Sequence, residues 1–327
     1  MSYVATATHA TLRTRAEILA AIRAFFATRG ALEVETPALS SAGVTDPALE
    51  SVVAEVRSLG RRQYLHTSPE FAMKRLLAAG SGDIYQICRV FRDDELGRWH
   101  QPEFTLLEWY RVGWDEMRLM TEVEALFGSV LAAAGHGAPL RSVRIRYGEA
   151  VAAALGVGAD APTPELAARL AAVGIDVPPG LGHDALLDLA MATVVPASFP
   201  ADALTFLYDY PASQSALARL KPGHPPVAAR FEVFGRGIEL ANGFHELCDA
   251  TEQRRRFVAD LAARRTANRP APPIDEALLA ALAAGLPDCA GVAVGLDRLI
   301  ALATGHTDVA SVVSFAHVRP EDGETTA

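Results

Sequence analysis

Lysine is nearly absent from this chain of 327 residues. Lys74 and Lys221 are the two lysines among 30 basic residues, and arginine supplies the rest. A Walker A loop, G-x-x-x-x-G-K, needs a glycine directly before its lysine. Met73 and Leu220 stand there instead, so the sequence excludes that nucleotide-binding loop.

Cysteine is also scarce, and no membrane or export segment is evident. Cys88, Cys248 and Cys289 are far apart, which argues against a zinc knuckle or a disulfide framework and suits a reducing compartment. The N-terminus has no apolar run after a basic start, so we expect no secretory signal. Pro287 and Asp288 interrupt the longest apolar stretch. We therefore expect a cytoplasmic protein without a membrane partner.

The chain contains fewer basic than acidic residues. There are 39 acidic residues against 30 basic ones, which gives a net charge of −9. This balance argues against a protein held on nucleic acid mainly by counterion release, although it leaves room for a local basic site. Half of the residues are hydrophobic and 21% are charged, which is typical of a globular chain with a sizeable core.

Apolar periodicity predicts strands in the middle of the chain and helices around them. A tail over residues 1–10 precedes one domain over residues 11–327, in which the proline-rich loops at 221–226 and 269–273 are internal connections. Strands and segregated helices in this order favour an α+β fold with a mainly antiparallel sheet. The predicted helices cover 12–29, 69–79, 115–134, two or three segments within 149–195, 250–266, 275–284 and the residues from 296; the strands cover 31–35, 64–66, 83–91, 103–111, 203–209, 228–234, 237–247 and 291–295.

Four segments concentrate residues that suit chemistry: LEVETPAL (32–39), the stretch from Tyr85 to Arg111, IELANGFHELCDATEQRRRF (238–257) and GVAVGLDRL (291–299). Each has an ordinary structural explanation when taken alone. Glu239 and Glu246, for example, are seven residues apart and would lie on opposite faces of a regular strand. They share a face only if the strand bulges, and Asn242-Gly243 is the place where we expect that bulge.

Taken together and in this order, the segments resemble the three signature motifs of class II aminoacyl-tRNA synthetases. LEVETP resembles motif 1, VFRDDELGRWHQPEF resembles the ATP-binding hairpin of motif 2, and GVAVGLDRL resembles motif 3. The resemblance covers residues 11–315 and implies the class II catalytic fold. Motif 1 in that family lies at a dimer interface, which implies a homodimer.

Two further segments, TSPEFAMKRL (67–76) and NGFHEL, are similar to the lysine-specific branch. Motif 1 begins by residue 32, so we expect no anticodon-binding OB domain. This short form resembles the elongation factor P lysine ligases. The resemblance implies that ATP activates lysine or β-lysine, that the acceptor is a lysine side chain of elongation factor P, and that tRNA is not the acceptor.

The resemblance also implies which residues hold ATP. Arg92 would contact the α-phosphate and Arg298 the γ-phosphate, with Arg98 and His100 near the outer phosphates; arginine suits this role because its planar fork binds phosphate oxygens in pairs. Asp94 and Gln101 stand where Glu and Asn are more usual, which leaves open whether Asp94 or Glu95 reaches the nucleotide. The remaining ATP positions are Phe104 against adenine, Glu239, Leu240 and Gly295, with Glu239 and Glu246 as the candidates for Mg²⁺.

A cationic amino acid would bind at Ser68, Glu70, Tyr110, Glu246 and Ala293, with Glu108 a weaker candidate on the strand face of Tyr110. Glu70 has an alternative role, since Thr67-x-x-Glu70 is a capping box for the next helix. Ala293 replaces the glycine of lysyl-tRNA synthetases, and its methyl group would disfavour an α-amino group and suit a shifted β-amino group. The alternatives are a ligase that charges tRNA or a small amine, and an inactive lysine-binding paralogue.

Overall fold

The computed structural model describes residues 4–136 and 140–318. Within them, helices alternate with strands in the first half and flank the strands in the second. None of these helices combines the length and apolarity that crossing a membrane requires. The α-helices are α1 His9–Ala27, α2 Glu70–Ala78, α3 Glu116–Ala133, α4 Tyr147–Leu155, α5 Thr163–Ala172, α6 His183–Thr193, α7 Ala250–Thr266, α8 Glu276–Gly285 and α9 Leu296–Thr304.

Two sheets organise the described residues. The strands are β1 Leu32–Glu33, β2 Leu39–Ser40, β3 Val53–Val56, β4 Arg61–Leu65, β5 Ile84–Phe91, β6 Glu103–Val112, β7 Arg141–Arg146, β8 Ala203–Pro211, β9 Leu220–Lys221, β10 Val227–Gly235, β11 Ile238–His245 and β12 Cys289–Gly295. The large sheet runs β1-β5-β6-β12-β11-β10-β8-β7, with β9 beside β10, and the small one runs β2-β4-β3. In the large sheet β1/β5 and β7/β8 are parallel, and the other pairs are antiparallel.

Helix α1 shows how the sequence builds the core. Ile18, Ile22 and Phe26 recur at helical spacing and are fully buried. Phe26 stacks on Tyr85 of β5, with 4.4 Å between ring centroids. The helix begins at His9 rather than at the predicted residue 12, because the Thr8 side chain accepts a hydrogen bond from the Thr11 amide and caps it.

The α+β fold with a mainly antiparallel sheet is confirmed. The predicted strands β5 and β6 and the β12–α9 junction form close to their expected bounds, and the two or three helices expected within 149–195 are three, of which α4 begins earlier, at Tyr147. Of the small sheet only one strand was predicted, at 64–66, and it forms as β4 at Arg61–Leu65; β2 and β3 were missed, because they have two and four residues and show little apolar alternation. Strand β7 was missed as well, since its RSVRIR sequence is rich in arginine.

The predicted tail over residues 1–10 falls partly outside the described residues. In the described part, the Thr6 amide donates to the Ser314 carbonyl at 2.9 Å, and the Thr6 hydroxyl donates to the Val313 carbonyl at 2.7 Å. These bonds hold residue 6 against the end of the domain, and residues 9 and 10 are helical. The division of the chain at residue 10 stays a prediction.

Candidate active site

A single cavity of about 1630 Å³ opens over one face of the large sheet. Its walls include residues of β6, β10, β11 and β12, of helices α2, α6 and α7, and of the loop between β5 and β6. It is lined by most of the predicted ATP and substrate residues, namely Ser68, Glu70, Arg92, His100, Gln101, Phe104, Glu239, Leu240, Ala293, Gly295 and Arg298. Side chains that are distant along the chain thus meet in one space.

Arg92 follows β5 at the entrance to the hairpin loop. Its guanidinium carbon lies 5.1 Å from the centre of the Phe104 ring, and its Nη1 lies 3.5 Å from a carboxylate oxygen of Glu95. Its Nε donates to the Thr67 carbonyl at 3.5 Å. These contacts hold a half-buried positive charge beside an aromatic face that is open to the cavity.

Arg298 lies in the first turn of α9, and its guanidinium reaches back to Trp99 and to β11. Its Nε donates to the Trp99 carbonyl at 3.0 Å, and its Nη1 donates to the Glu239 carbonyl at 2.9 Å. Burial, then Arg298 and to a smaller extent Arg92, lowers the pKa of His100, and Glu95 opposes this. The two arginines thus make this part of the cavity electropositive, which disfavours the charged form of His100.

A buried ion pair fixes the position of Arg298. The Asp297 carboxylate accepts the Thr105 amide at 2.9 Å and pairs with Nη1 of Arg15 at 2.7 Å. The Arg15 Nη2 also donates to the Thr105 hydroxyl at 2.8 Å. Helix α1, strand β6 and the start of α9 are therefore held together directly beneath Arg298.

The sequence left open which acid of the hairpin loop, Asp94 or Glu95, faces the nucleotide. The structure shows which residues of this loop line the cavity. Glu95 lines the cavity, whereas Asp94 is exposed outside it with a φ of 64°. Gln101 lines the cavity, but its amide accepts the His317 N–H at 2.7 Å and donates to the His317 carbonyl at 3.3 Å. Arg98 lies outside the cavity and donates to the Thr307 carbonyl at 2.5 Å. Among these residues, Glu95 is the acid that faces the site.

A β-bulge in β11 decides where Glu239 points. Val233 pairs with Ala241 and Phe234 pairs with Glu239, so Leu240 is the extra residue. Glu232, which is two residues before Phe234, pairs with Asn242. Glu239 and Asn242 therefore share the cavity face. The strand does bulge, but at Leu240 rather than at the predicted Asn242-Gly243.

The bulge does not bring Glu239 and Glu246 to one ion. They are separated by about 20 Å of strand, at about 3.3 Å per residue, whereas Mg²⁺ ligands lie 2.0–2.1 Å from the metal. Glu246 is buried and pairs with Lys74, while Glu239 is half exposed in the cavity. In the described part of the chain, no group of three or more His, Cys, Asp or Glu side chains is arranged for a metal.

Beneath Ser68 and Glu70, which line the other end of the cavity, lies an acidic pocket around the buried Lys74 of α2. The Nζ of Lys74 lies 2.6 Å from Glu70 and 2.6 Å from Glu246, and its side chain is 1% exposed. Burial by itself lowers the pKa of Lys74, but Glu246 and Glu70 raise it above its usual value. The capping box at Glu70 does not form, because Ser68 rather than Thr67 accepts the Glu70 N–H, at 3.0 Å.

Glu108 and Tyr110 complete this acidic pocket from β6. Ser68 and Tyr110 donate their hydroxyls to Glu108 at 2.7 and 2.6 Å. Burial and the nearby Glu70 raise the pKa of Glu108 to about 8. Burial, with Glu70 added and Lys74 opposing, raises the pKa of Glu246 to about 7. Lys74 compensates only one negative charge, so the crowding of three carboxyl groups favours protonation of Glu108 and Glu246 and leaves the pocket ready to ionise beside a cationic ligand.

A glycine makes the space for this acidic pocket. Gly291 of β12 pairs with Tyr110 on one side and with Phe244 on the other. A Cβ placed at Gly291 would lie 2.3 Å from the Tyr110 ring and 2.7 Å from a carboxylate oxygen of Glu246. These distances are shorter than any ordinary contact. Tyr110 and Glu246 can therefore occupy their positions in the acidic pocket only because residue 291 has no side chain.

The match to a family model spans nearly the whole chain. The model of tRNA synthetases class II (D, K and N) matches residues 1–319. The chain belongs to this family. As in other class II synthetases, it is an ATP-dependent ligase built on this catalytic fold, and the three motif segments of this class II chain meet at the cavity described above.

Curated relatives of this class II chain share almost half of its residues. An elongation factor P–(R)-β-lysine ligase of Vibrio vulnificus is 48% identical over 312 residues, 93% of this chain and 94% of the relative. Proteins of the same name from Vibrio cholerae and Salmonella gallinarum are 46% identical over 324 and 319 residues; the alignments cover 97% and 92% of this chain and 98% and 93% of the relatives.

Sequence reasoning missed two parts of this class II site. Lys74 was considered only as a Walker lysine, although its spacing of four residues from Glu70 on one helix indicates an ion pair. Arg230 and Glu232 also line the cavity and pair at 2.6 Å. The sequence did contain a signal for this pair. Arg230 and Glu232 are two residues apart in the apolar strand VAARFEVFG, so their opposite charges must lie on the same face of the strand.

Proposed function

We propose that this class II enzyme activates (R)-β-lysine or lysine with ATP and transfers it to a lysine side chain of elongation factor P in the cytoplasm. The observation that supports this most directly is the adjacency of two opposite fields in one cavity. Arg92 and Arg298 lie at one end, and Glu70 lines the other end, where Glu108 and Glu246 lie buried beneath it and complete the acidic pocket. A triphosphate and a cationic amino acid fit these two ends.

In the first step, an oxygen of the amino acid carboxylate attacks the α-phosphorus of ATP. A P–O bond to the amino acid forms, the bond to the β-phosphate bridging oxygen breaks, and pyrophosphate leaves with the electron pair. Both reactants are anionic, so the step needs fixed positive charge. Arg92 supplies it at the α-phosphate and Arg298 at the terminal phosphates, while Phe104 stacks against the adenine ring.

The donors in the cavity fit Mg²⁺. This ion is commonly held by one or two carboxylates together with phosphate oxygens, and Glu239 is a half-exposed carboxylate beside Arg298. Glu232 lies close enough to Glu239 for their charges to interact. It is therefore a nearer candidate than Glu246 for the second carboxylate. When bound, the ion would neutralise phosphate charge. The pairing of Glu246 with Lys74 leaves Glu246 to the amino acid instead.

The acidic pocket recognises a diamino acid by charge. Glu70 and Ser68 line the open part of this pocket, and Glu246, Glu108 and Tyr110 lie beneath it. Ala293 projects from β12, between Asn242 and Glu108 on the neighbouring strands. Its methyl group crowds the α-position of lysine and leaves room for a β-amino group.

In the second step, the neutral ε-amine of the acceptor lysine attacks the carbonyl carbon of the adenylate. A C–N bond forms, the C–O bond to AMP breaks, and AMP leaves with the electron pair while the amine loses a proton. The product is an amide on the acceptor protein.

The test is the intact mass of elongation factor P after incubation with enzyme, ATP and either (R)-β-lysine or lysine. We expect a single added lysyl mass with at least one isomer, and none without ATP. Amino-acid-dependent ATP–pyrophosphate exchange reports the first step separately. Exchange without any transfer to elongation factor P, but with transfer to tRNA or a small amine, would reassign the acceptor. If neither isomer supported exchange, the result would favour the alternative that the protein is an inactive lysine-binding paralogue.

We also propose that the enzyme is a homodimer through the LEVETP segment. Strand β1 forms one end of the large sheet, and Leu32 in it is 57% exposed. An exposed apolar residue on an edge strand favours association.

A further inference from the structure

The loop of residues 43–51, which lies between β2 and β3, forms one wall of the cavity. Every residue in it except Glu50 lines the cavity, and none belongs to a helix or strand. Among these residues, all of which the structure describes, one backbone hydrogen bond forms, from the Leu49 amide to the Asp46 carbonyl at 3.2 Å. Because backbone polar groups need partners, the shape of this loop depends on bonds to other elements.

Arg264, near the end of α7, supplies three such bonds. Its side chain is fully buried. Its Nη1 donates to the carbonyls of Asp46 and Leu49 at 2.8 and 2.7 Å, and its Nη2 pairs with the Glu50 carboxylate at 2.6 Å. A planar guanidinium presents its donors in a rigid fork, so it fixes the positions of these acceptors relative to one another. Arg264 thereby determines much of the shape of the loop.

The end of the loop is joined to the hairpin that carries Arg92. The Glu50 carbonyl accepts a hydrogen bond from the Asp93 amide at 2.9 Å. Asp93 directly follows Arg92, whose own amide donates to the Pro102 carbonyl at 2.9 Å. Glu50 is thus bonded to Arg264 through its carboxylate and to the hairpin through its carbonyl. One residue therefore links the buried arginine of α7 to the backbone beside Arg92.

The polar contacts of the Arg92 side chain are long. Its Nε lies 3.5 Å from the Thr67 carbonyl and its Nη1 lies 3.5 Å from a Glu95 carboxylate oxygen, whereas strong N–H···O bonds measure about 2.7–3.2 Å. The place of the guanidinium therefore depends on where the backbone of residue 92 lies. In a catalytic site, a displacement of about 1 Å can lower the rate about 100-fold. A remote residue that holds this backbone can thus affect the reaction strongly.

We propose that Arg264 is a positioning residue for Arg92: through Glu50 it holds the start of the hairpin so that the Arg92 guanidinium faces the α-phosphate of ATP. This inference rests on the proposed function, in which Arg92 acts at that phosphate. Arg264 lies outside the cavity, so it acts through Glu50 and not by contact with a substrate. Its effect falls on the rate of adenylate formation, because the acidic pocket that binds the amino acid is built from other elements.

The test compares Arg264→Lys with wild type in amino-acid-dependent ATP–pyrophosphate exchange. Lysine keeps a charge for Glu50 but lacks the fork that also holds the two carbonyls. We expect kcat for exchange to fall at least about tenfold, while the KM for the amino acid stays within about twofold. Arg269→Lys is the matched control, because Arg269 is exposed and donates to the same loop at the Pro47 carbonyl, at 2.6 Å. It should change neither value by more than about twofold.

A double-mutant cycle with Arg92→Lys distinguishes positioning from general destabilisation. If Arg264 acts through Arg92, adding Arg264→Lys to Arg92→Lys should lower kcat by no more than about twofold further, because the fork that it positions is already absent. A full further fall in that background would overturn the inference, and so would an unchanged kcat in Arg264→Lys alone.

Glu50→Gln weakens the same link while Arg264 stays in place. It should lower kcat in the same direction with the amino acid KM unchanged, and it carries the comparison if Arg264→Lys does not fold. An unchanged kcat in Glu50→Gln would then overturn the inference. Absence of exchange by the wild-type enzyme with either isomer is a different result, because it would reject the proposed function itself.

Discussion

Lys74 is the residue on which the acidic pocket depends most. It is buried between Glu70 and Glu246, at 2.6 Å from each. Removing one partner of a buried ion pair costs about 3–5 kcal/mol, since the remaining charges lose their compensation. We expect Lys74→Met to lower the free energy of unfolding by about this amount and to raise the KM for the amino acid. Urea denaturation and pyrophosphate exchange measure the two effects.

Lys221 provides the matched control, because it is the other lysine and also pairs with two acids, Glu116 and Asp209. Its side chain is 32% exposed and lies outside the cavity. Lys221→Met should therefore destabilise the protein less and leave the amino acid KM unchanged. Equal effects of the two substitutions on KM would show that Lys74 has no special role in the acidic pocket.

The raised carboxyl pKa values predict a pH dependence with a definite sign. The pKa of Glu108 is about 8 and that of Glu246 about 7, both above the ordinary value of 4.5. Their contribution to stability is fully present below about pH 4.5 and is lost as the pH rises through 7 to 8. We expect the Tm of the free enzyme to fall over this interval and the affinity for the cationic amino acid to rise.

Glu108→Gln tests this assignment, because the amide does not ionise. The fall of Tm between pH 7 and 8.5 should be smaller in the variant, and saturating amino acid should reduce it in the wild-type enzyme. Thermal unfolding across a pH series measures both. A variant whose pH profile matched that of the wild type would show that Glu108 does not titrate in this range.

Ala293 is expected to set the choice between isomers. Steric discrimination by one methyl group is worth about 1–3 kcal/mol. Ala293→Gly should therefore shift the ratio of kcat/KM towards lysine and away from (R)-β-lysine by that amount, measured by exchange with each isomer. Ala241→Gly, on the neighbouring strand of the same cavity, is the control. An unchanged ratio in Ala293→Gly would place the discrimination elsewhere.

At the scale of elements, β12 lies between β6, which carries Tyr110, and β11, which ends directly before Glu246. Gly291→Ala would place a methyl group against both side chains. Overpacking of this kind costs about 1–3 kcal/mol, and here it also displaces substrate-binding groups. We expect a lower Tm and a higher amino acid KM, with the KM for ATP less affected.

Gly128→Ala in α3 is the comparison, since its Cβ would meet nothing within 4 Å. Alanine is favoured over glycine in a helix by about 1 kcal/mol, so this variant should be slightly more stable. If Gly291→Ala bound the amino acid as tightly as Gly128→Ala, the space at Gly291 would not matter for the substrate.

Strand β11 shows how far sequence reasoning reached. The pattern of charges indicated that Glu239 and Glu246 need a bulge, because alternation is a strict property of strands. It did not locate the extra residue at Leu240, since that depends on pairing with β10. The ion pair between Arg15 and Asp297 could not be predicted from the sequence either. The two residues are 282 positions apart in the chain and meet only in the folded structure. Motifs fixed by local spacing, such as β5–β6 and β12–α9, were predicted well.

At the scale of the whole molecule, the proposed dimer has a simple test. Sedimentation should give a mass of about twice the 34.7 kDa of one chain. Leu32→Asp places a charge on the exposed edge strand and should shift the enzyme to monomers. Val173→Asp, at an apolar residue that is 46% exposed after α5, should not. A wild-type mass of 34.7 kDa would end the dimer proposal.

The scarcity of lysine has a consequence for an enzyme that prepares an amine-reactive electrophile. An acyl-adenylate acylates any neutral primary amine that reaches it, including those of its own catalyst. Here Lys74 and Lys221 are both held as charged ammonium groups by two carboxylates each; burial lowers the pKa of both, but the paired carboxylates outweigh it and raise the pKa above its usual value. Arginine covers the remaining basic positions and stays protonated. The enzyme is thereby protected from labelling itself while the intermediate waits for its acceptor.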